Sequence, residues 1–188
     1  MTRSPDSIGW SSVARRIRVP LGFLFAVAYV WLSRPTRTSL LAGALLLLPG
    51  LLLRGLASGH VQKNERLATS GPYAYTRNPL YLGSLILAAG FAVAARSWWI
   101  VAIMVVIFIV IYIPVIAAEE RFLRQTFPEY EDYSRLVPRL RPRLTPFPGP
   151  QGSFSPALYW KHREYKALLG CVAVVVILVL KLVFKVVW

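Results

Sequence analysis

The feature that most limits how this chain can fold is a series of predominantly apolar blocks. Residues 39–57, 100–118 and 167–188 form three long blocks, and residues 19–32 and 80–95 form two shorter ones. A helix needs about 20 apolar residues to cross the hydrocarbon core of a bilayer. Because a single apolar segment can satisfy its own backbone in lipid only as a helix, the blocks predict an all-α, polytopic membrane protein with about five transmembrane helices.

Composition and charge agree with a membrane protein and exclude other classes. Apolar residues make up 56% of the chain, and the mean hydropathy is +0.52. The net charge of +14 would suggest a nucleic-acid partner in a soluble protein, but the arginines lie beside the apolar blocks, where the positive-inside rule accounts for them. We therefore expect no nucleic acid. The one cysteine, Cys171, lies inside a block, so we expect neither a disulfide framework nor a metal site.

The distribution of Lys and Arg predicts the orientation and the domain plan. Most of them fall before the first block, between blocks two and three, and between blocks four and five, which places these segments and the N-terminus in the cytoplasm and the C-terminus on the opposite side. The short connection at residues 96–99 predicts a hairpin of helices three and four. We expect a core at 1–144, a Pro/Gly-rich linker and basic segment at 145–166, and a last transmembrane helix at 167–188, where Lys181 and Lys185 snorkel to the interface.

Two polar clusters interrupt the apolar pattern on the predicted cytoplasmic side. The first is the turn G-P-Y-A-Y-T-R-N-P-L-Y-L-G, in which Asn78 can cap a helix that begins at Pro79. The second is the pair Glu119 and Glu120. The turn is either a loop before a well-started helix or part of a binding site. The acids either pair with nearby arginines on a solvated helix end or hold a cationic small molecule.

These clusters resemble the isoprenylcysteine carboxyl methyltransferase family and its relatives among membrane phospholipid N-methyltransferases. The resemblance covers residues 61–142 and rests on V-Q-K-N-E, L-A-T-S-G-P-Y-A-Y-T-R-N-P-L-Y-L-G, E-E-R-F-L, F-P-E-Y-E-D-Y and V-P-R-L-R-P in this order. It implies an integral membrane enzyme that binds S-adenosylmethionine on the cytosolic side, between the helical hairpin and the C-terminal segment. The resemblance also implies a lipophilic methyl acceptor, either an isoprenylcysteine-like carboxylate or a lipid amine. Membrane lipids are then the partners of the protein.

The resemblance also implies a set of cofactor-binding residues, although it names no catalytic one. The set is Gln62, Leu67, Ala68, Tyr73, Arg77, Asn78, Pro79, Tyr81, Glu119 and Glu120. Two positions depart from the family: Asn78 stands where His is usual, and Val115 stands where the eukaryotic carboxyl methyltransferases have an Arg. These departures favour one alternative, a non-catalytic membrane scaffold of the same fold. An NADPH-dependent membrane reductase is the other, and the chain length of 188 residues disfavours it.

Overall fold

The computed structural model describes residues 22, 24–62, 65–150 and 152–184, and all regular structure in these ranges is helical. Some residues used in the sequence predictions lie outside these ranges: the N-terminal arginines, the start of the first block, Lys63, Asn64 and Lys185. The elements in order are α1 (24–32), α2 (Arg37–Ser58), a 3₁₀ helix (Gly71–Ala74), α3 (Pro79–Ala95), α4 (Trp98–Thr126), α5 (Tyr130–Leu136), α6 (Pro156–Lys161) and α7 (Tyr165–Val183).

Three of these helices, α2, α4 and α7, are long and apolar enough to cross a membrane. Helix α3 is also apolar but has only 17 residues. The prediction of a helical membrane protein is confirmed at this level. The number of five spans and the sides on which the termini lie remain predictions.

Glycines allow α2 and α3 to pack with their backbones in close contact. A Cβ atom added to Gly43 would lie 2.7 Å from the carbonyl oxygen of Gly90 and 3.0 Å from Cβ of Ala94. One added to Gly83 would lie 2.6 Å from Cγ of Arg54. Such close approach is the usual role of small residues between membrane helices. Gly83, Gly90 and Ala94 of α3 therefore serve its contact with α2 rather than its contact with α4.

Helices α3 and α4 form the predicted hairpin at its two ends but separate between them. At one end Arg96, in the left-handed conformation, ends α3 two residues before α4 begins. At the other end the rings of Tyr81 and Tyr112 are 6.1 Å apart. Helix α4 contains a π-helical turn, Phe108–Tyr112, directly before Pro114, which has no N–H to donate in a regular helix. The helix then continues past the two glutamates and ends at Thr126.

The segment predicted to be a linker is fixed against the loop between α2 and α3. The amides of Arg143, Phe147 and Ser155 donate hydrogen bonds of 2.9 Å to the carbonyls of Tyr75, Ala74 and Gly59. The chain after α5 therefore forms a strap along this loop before α6 and α7 return to the other helices.

Helix α7 ends with a contact that the sequence did not predict. Lys181 Nζ donates hydrogen bonds to the carbonyl oxygens of Val30, Trp31 and Ser33, at 2.7, 3.1 and 2.9 Å. These carbonyls lie at the C-terminal end of α1, where the helix leaves backbone acceptors without intrahelical partners. Lys181 thus caps α1 from another helix, which is more than the predicted snorkelling to an interface.

Candidate functional site

A polar cavity of about 120 Å³ lies where the 3₁₀ helix, the start of α3 and the end of α4 meet α5. All of the residues predicted for the cofactor line it, except Pro79 and Glu120. Pro79 is buried at the first position of α3. Residues that lie far apart in sequence, such as Gln62, Tyr73 and Glu119, therefore face one space. The predicted residues that line it are Gln62, Leu67, Ala68, Tyr73, Arg77, Asn78, Tyr81 and Glu119.

Glu119 gives the cavity a carboxylate that no lysine or arginine of the described residues neutralises. Its Oε2 accepts a 2.9 Å hydrogen bond from the hydroxyl of Tyr81, and no lysine or arginine of the described ranges lies within ion-pair distance. Glu119 is exposed and lines the cavity, so its carboxylate is accessible to a ligand. The geometry of Glu119 therefore suits a ligand that carries an ammonium or another cation.

Glu120 has a different environment from its neighbour. Its side chain is buried, and Arg139 binds it through Nε at 3.0 and 3.1 Å and through Nη2 at 2.6 Å. Asn78 Nδ2 donates a further bond of 3.0 Å, and Arg77 Nη1 lies 4.0 Å away. The hydrogen bonds to Glu120 hold the pKa of Arg139 above its usual value. Of the two interpretations of this acid, the structure favours pairing with arginine.

Asn78 occupies the predicted N-cap position of α3, but its side chain makes no capping bond. Instead Nδ2 donates to Glu120 and, at 3.2 Å, to the carbonyl oxygen of Arg139. The amide therefore joins the start of α3 to both α4 and the strap. The predicted capping bond is wrong, because the two bonds donated by Nδ2 fix the orientation of the side-chain amide.

Arg77 retains donors that the described residues do not use. Its backbone N–H donates to Pro138 O at 2.9 Å, and Nη1 lies 3.5 Å from the hydroxyl of Tyr130. Its Nε is buried without a hydrogen-bond partner among the described residues. Nη2 makes no hydrogen bond to the described residues and is not among their inaccessible polar atoms, so this nitrogen can donate to an acceptor on a ligand.

Two tyrosines of α5, Tyr130 and Tyr133, line the cavity beside the 3₁₀ helix. The hydroxyl of Tyr133 donates a 2.7 Å bond to the carbonyl of Tyr73, and its ring packs edge-on against Phe147 at 5.2 Å. Burial raises the pKa values of both tyrosines, so both stay neutral at physiological pH. Sequence reasoning gave no role to Tyr130 and Tyr133, although their spacing of three residues places them on one helix face.

Two further cavities adjoin the polar one. An outer cavity of about 410 Å³ lies under the strap and shares Arg66, Leu67, Ala68 and Tyr133 with it. An apolar cavity of about 760 Å³ lies between α3 and α4 and shares Tyr81 with it. Val105, Ile109 and Ile113 line the apolar cavity and are 50%, 55% and 45% exposed, so this cavity opens at the outer surface of the helices.

Fold and site together define a class: a helical membrane protein in which a polar cavity meets an apolar one. Residues 51–130 match the family model described as phospholipid methyltransferase. The match covers less than half of the chain, and over this segment it confirms the resemblance seen in the sequence.

Two curated proteins are similar to part of the chain. The cobalt-zinc-cadmium resistance protein CzcN of Cupriavidus metallidurans is 39% identical over 88 residues, which cover 47% of this chain and 41% of CzcN. The nickel-cobalt-cadmium resistance protein NccN of Alcaligenes xylosoxydans xylosoxydans is 36% identical over 86 residues, which cover 46% of this chain and 40% of NccN. The aligned segment thus spans less than half the length of either relative. No solved structure matches the chain.

Proposed function

We propose that the protein is an integral membrane methyltransferase that uses S-adenosylmethionine and acts on a lipophilic acceptor. One observation carries the proposal: residues implied by the family resemblance line a single polar cavity, and Tyr81 joins that cavity to an apolar one between α3 and α4. A charged cofactor would then approach this point from water, and an apolar acceptor would approach it from the bilayer.

The residues of the polar cavity fit the amino-acid end of the cofactor. Glu119 would hold the ammonium group, and Nη2 of Arg77 would hold the carboxylate. The aromatic faces of Tyr73 and Tyr81 suit a sulfonium cation. A volume of about 120 Å³ is below the roughly 300 Å³ of a typical ligand site, so the adenosine portion would extend toward the outer cavity past Leu67 and Ala68.

The apolar cavity fits the acceptor. Its volume of about 760 Å³ is large enough for a lipid chain, and it opens where the helices face the bilayer. When bound, S-adenosylmethionine supplies an electrophilic methyl group. The protein's part is to orient the acceptor, exclude water and hold both partners in line, and proximity of this kind is worth about 7–11 kcal/mol in intramolecular reactions. We assign no general base.

The names of the two relatives suggest a role in tolerance of cobalt, zinc, cadmium or nickel. The described ranges contain no group of three or more His, Cys, Asp or Glu residues that could hold a metal ion. We therefore propose that any contribution to metal tolerance comes through the methylated product rather than through metal binding by this chain.

A methyl-transfer assay tests the proposal. The purified protein in lipid nanodiscs is incubated with S-adenosylmethionine labelled in its methyl group and with fractionated lipid extracts. We expect label in the lipid phase and release of S-adenosylhomocysteine in equal amount. Binding of the cofactor without transfer to any fraction would favour the non-catalytic scaffold, and binding of NADPH instead would favour the reductase.

A further inference from the structure

The C-terminal extension, residues 145–188, lies outside the family match. It contacts the matched segment at Arg54. Glu164 accepts a 2.6 Å hydrogen bond from Nε of Arg54, and the two side chains are 11% and 22% exposed. Glu164 stands between α6 and α7, directly after Arg163, which adopts a left-handed conformation. The bend between the two helices therefore brings this carboxylate to α2.

Two further contacts fix the guanidinium of Arg54. Its Nη1 donates to Oγ of Ser84 at 2.5 Å and to the carbonyl oxygen of Leu80 at 3.3 Å. A guanidinium carries five N–H donors in a rigid plane. Nη2 makes no hydrogen bond to the described residues. It is also not one of their inaccessible, unpartnered side-chain atoms. Three contacts on one side thus orient the arginine and leave Nη2 accessible.

Arg54 lines the apolar cavity between α3 and α4. Among the described residues of that lining, Arg54 alone carries a charge, and Tyr81 and Ser84 lie on the face of α3 beside it. Ala167 of α7 lines the same cavity. A cation in apolar surroundings is expensive unless it is paired, and its remaining donors bind an oxygen acceptor strongly there because water competes poorly. The cavity therefore has one polar end, and the extension helps to form it.

We propose that Arg54, held by Glu164, forms a head-group subsite that binds an anionic oxygen group of the lipophilic acceptor, either a carboxylate or a phosphodiester. This inference rests on the proposed function, which supplies the acceptor, and it adds the chemistry of the acceptor's head. The free N–H pair on Nη2 matches two oxygens of such a group, whereas an ammonium beside Nη2 would be repelled. The C-terminal extension is then a specificity element of the enzyme.

The test uses unreactive amphiphiles that share one alkyl chain. The full-length protein in neutral-detergent micelles, without cofactor, is titrated calorimetrically with myristate, with myristyl phosphocholine and with myristyltrimethylammonium. We expect the first two to bind at least about tenfold more tightly than the third, since a charge-assisted hydrogen bond contributes that much or more. The first two probes distinguish a carboxylate from a phosphodiester. Equal affinity for all three, or preference for the ammonium, would overturn the subsite.

Three variants separate recognition from folding. Arg54→Gln should lose the preference for oxygen-bearing head groups, and the double variant Arg54→Gln/Glu164→Gln should lose it without leaving a buried carboxylate unpaired. Glu164→Gln keeps an acceptor for Nε but removes a negative charge, so it should bind myristate several-fold more tightly than the original protein. A purely structural role predicts weaker binding, which would contradict the proposal.

A matched control comes from the same extension. Lys161 pairs with Glu65 at 3.4 Å, and both side chains are more than half exposed, so Lys161→Gln should leave all three affinities unchanged. Binding of S-adenosylmethionine is measured in parallel. If the protein does not bind S-adenosylmethionine but still prefers the oxygen-bearing probes, the methyltransferase is rejected and the subsite is kept. If it binds S-adenosylmethionine but shows no preference among the probes, only the subsite is rejected.

Discussion

Glu120 Oε2 and Arg139 Nη2 lie 2.6 Å apart and join the end of α4 to the strap that follows α5. The carboxylate is buried, whereas the arginine side chain is 50% exposed. Asn78 binds both partners, so the start of α3 belongs to the same network. Asn78 lines the polar cavity, whereas Glu120 and Arg139 do not, so these two side chains support the cavity wall through Asn78.

Loss of Arg139 should destabilise the protein. Arg139→Gln leaves the buried carboxylate of Glu120 with Asn78 and a distant Arg77. We expect the free energy of unfolding to fall by about 1–3 kcal/mol, a range lowered because the arginine is half exposed and water screens its charge. Thermal unfolding in detergent measures it. Arg141→Gln is the matched control, since Arg141 is exposed and makes no side-chain bond within the described ranges. Equal stability of the two variants would contradict the role of Arg139.

The close contact of α2 and α3 should tolerate no side chain at Gly43. Gly43→Ala places a Cβ against the backbone of Gly90, and overpacking of this kind costs about 1–3 kcal/mol. Gly170→Ala is the control within another helix: nothing lies within 4 Å of its added Cβ, so the better helix propensity of Ala should make it neutral or stabilising. Unfolding midpoints compare the two. A midpoint for Gly43→Ala at or above that of Gly170→Ala would refute the close packing.

Lys181 should contribute to the stability of α1 through its backbone contacts. Lys181→Met removes three hydrogen bonds to carbonyls at the end of α1, and we expect a loss of about 1–3 kcal/mol. Lys166→Met removes an exposed lysine from the other end of α7 and should have little effect. Protease sensitivity near residue 33, compared between the variants, reports whether α1 is released. No difference in cleavage would favour simple snorkelling of Lys181.

The buried hydroxyl of Tyr133 should make stability fall at high pH. Burial raises the pKa of Tyr133 above its ordinary value of about 10, so the folded state favours the neutral phenol. This contribution is fully present below about pH 10 and is lost as the pH rises toward the folded-state pKa. Tyr133→Phe should lose about 1 kcal/mol at neutral pH with the bond to Tyr73, and its stability should decline less above pH 10.

A pH series of unfolding measurements checks this expectation by comparing Tyr133→Phe with Tyr75→Phe, whose side chain is 39% exposed. Parallel declines of the two variants above pH 10 would show that Tyr133 does not titrate as described.

The apolar blocks predicted the long helices well, because lipid leaves the backbone few alternatives. Helix Arg37–Ser58 extends at most two residues beyond its predicted block, whereas Trp98–Thr126 continues about two turns past the end of its block. The family resemblance implied that Tyr73, Tyr81 and Glu119 belong to one site, and all three line one cavity, while their role toward a cofactor remains a prediction. The sequence could not show that α3 packs on α2, since glycines such as Gly43 permit close approach without naming the partner.

The roles of the two adjacent acids could not be separated from the sequence. Glu119 and Glu120 are neighbours, so they point to different sides of α4, and only the positions of Tyr81 and Arg139 decide which carboxylate faces the cavity. Arg139 and Glu164 come from segments whose return to the core depends on turns without a strong pattern. Long-range contacts of single polar residues are therefore what sequence reasoning missed.

The most direct test of the account is calorimetric titration of the purified protein with S-adenosylmethionine, repeated for Glu119→Ala and Asp132→Ala. Asp132 is an exposed acid on α5 that does not line the cavity, so it serves as the matched control. We predict binding by the original protein and by Asp132→Ala, and a loss of at least about tenfold in affinity for Glu119→Ala, the cost of a charge-assisted contact. Unchanged affinity in Glu119→Ala, or no binding by the original protein, would contradict the account.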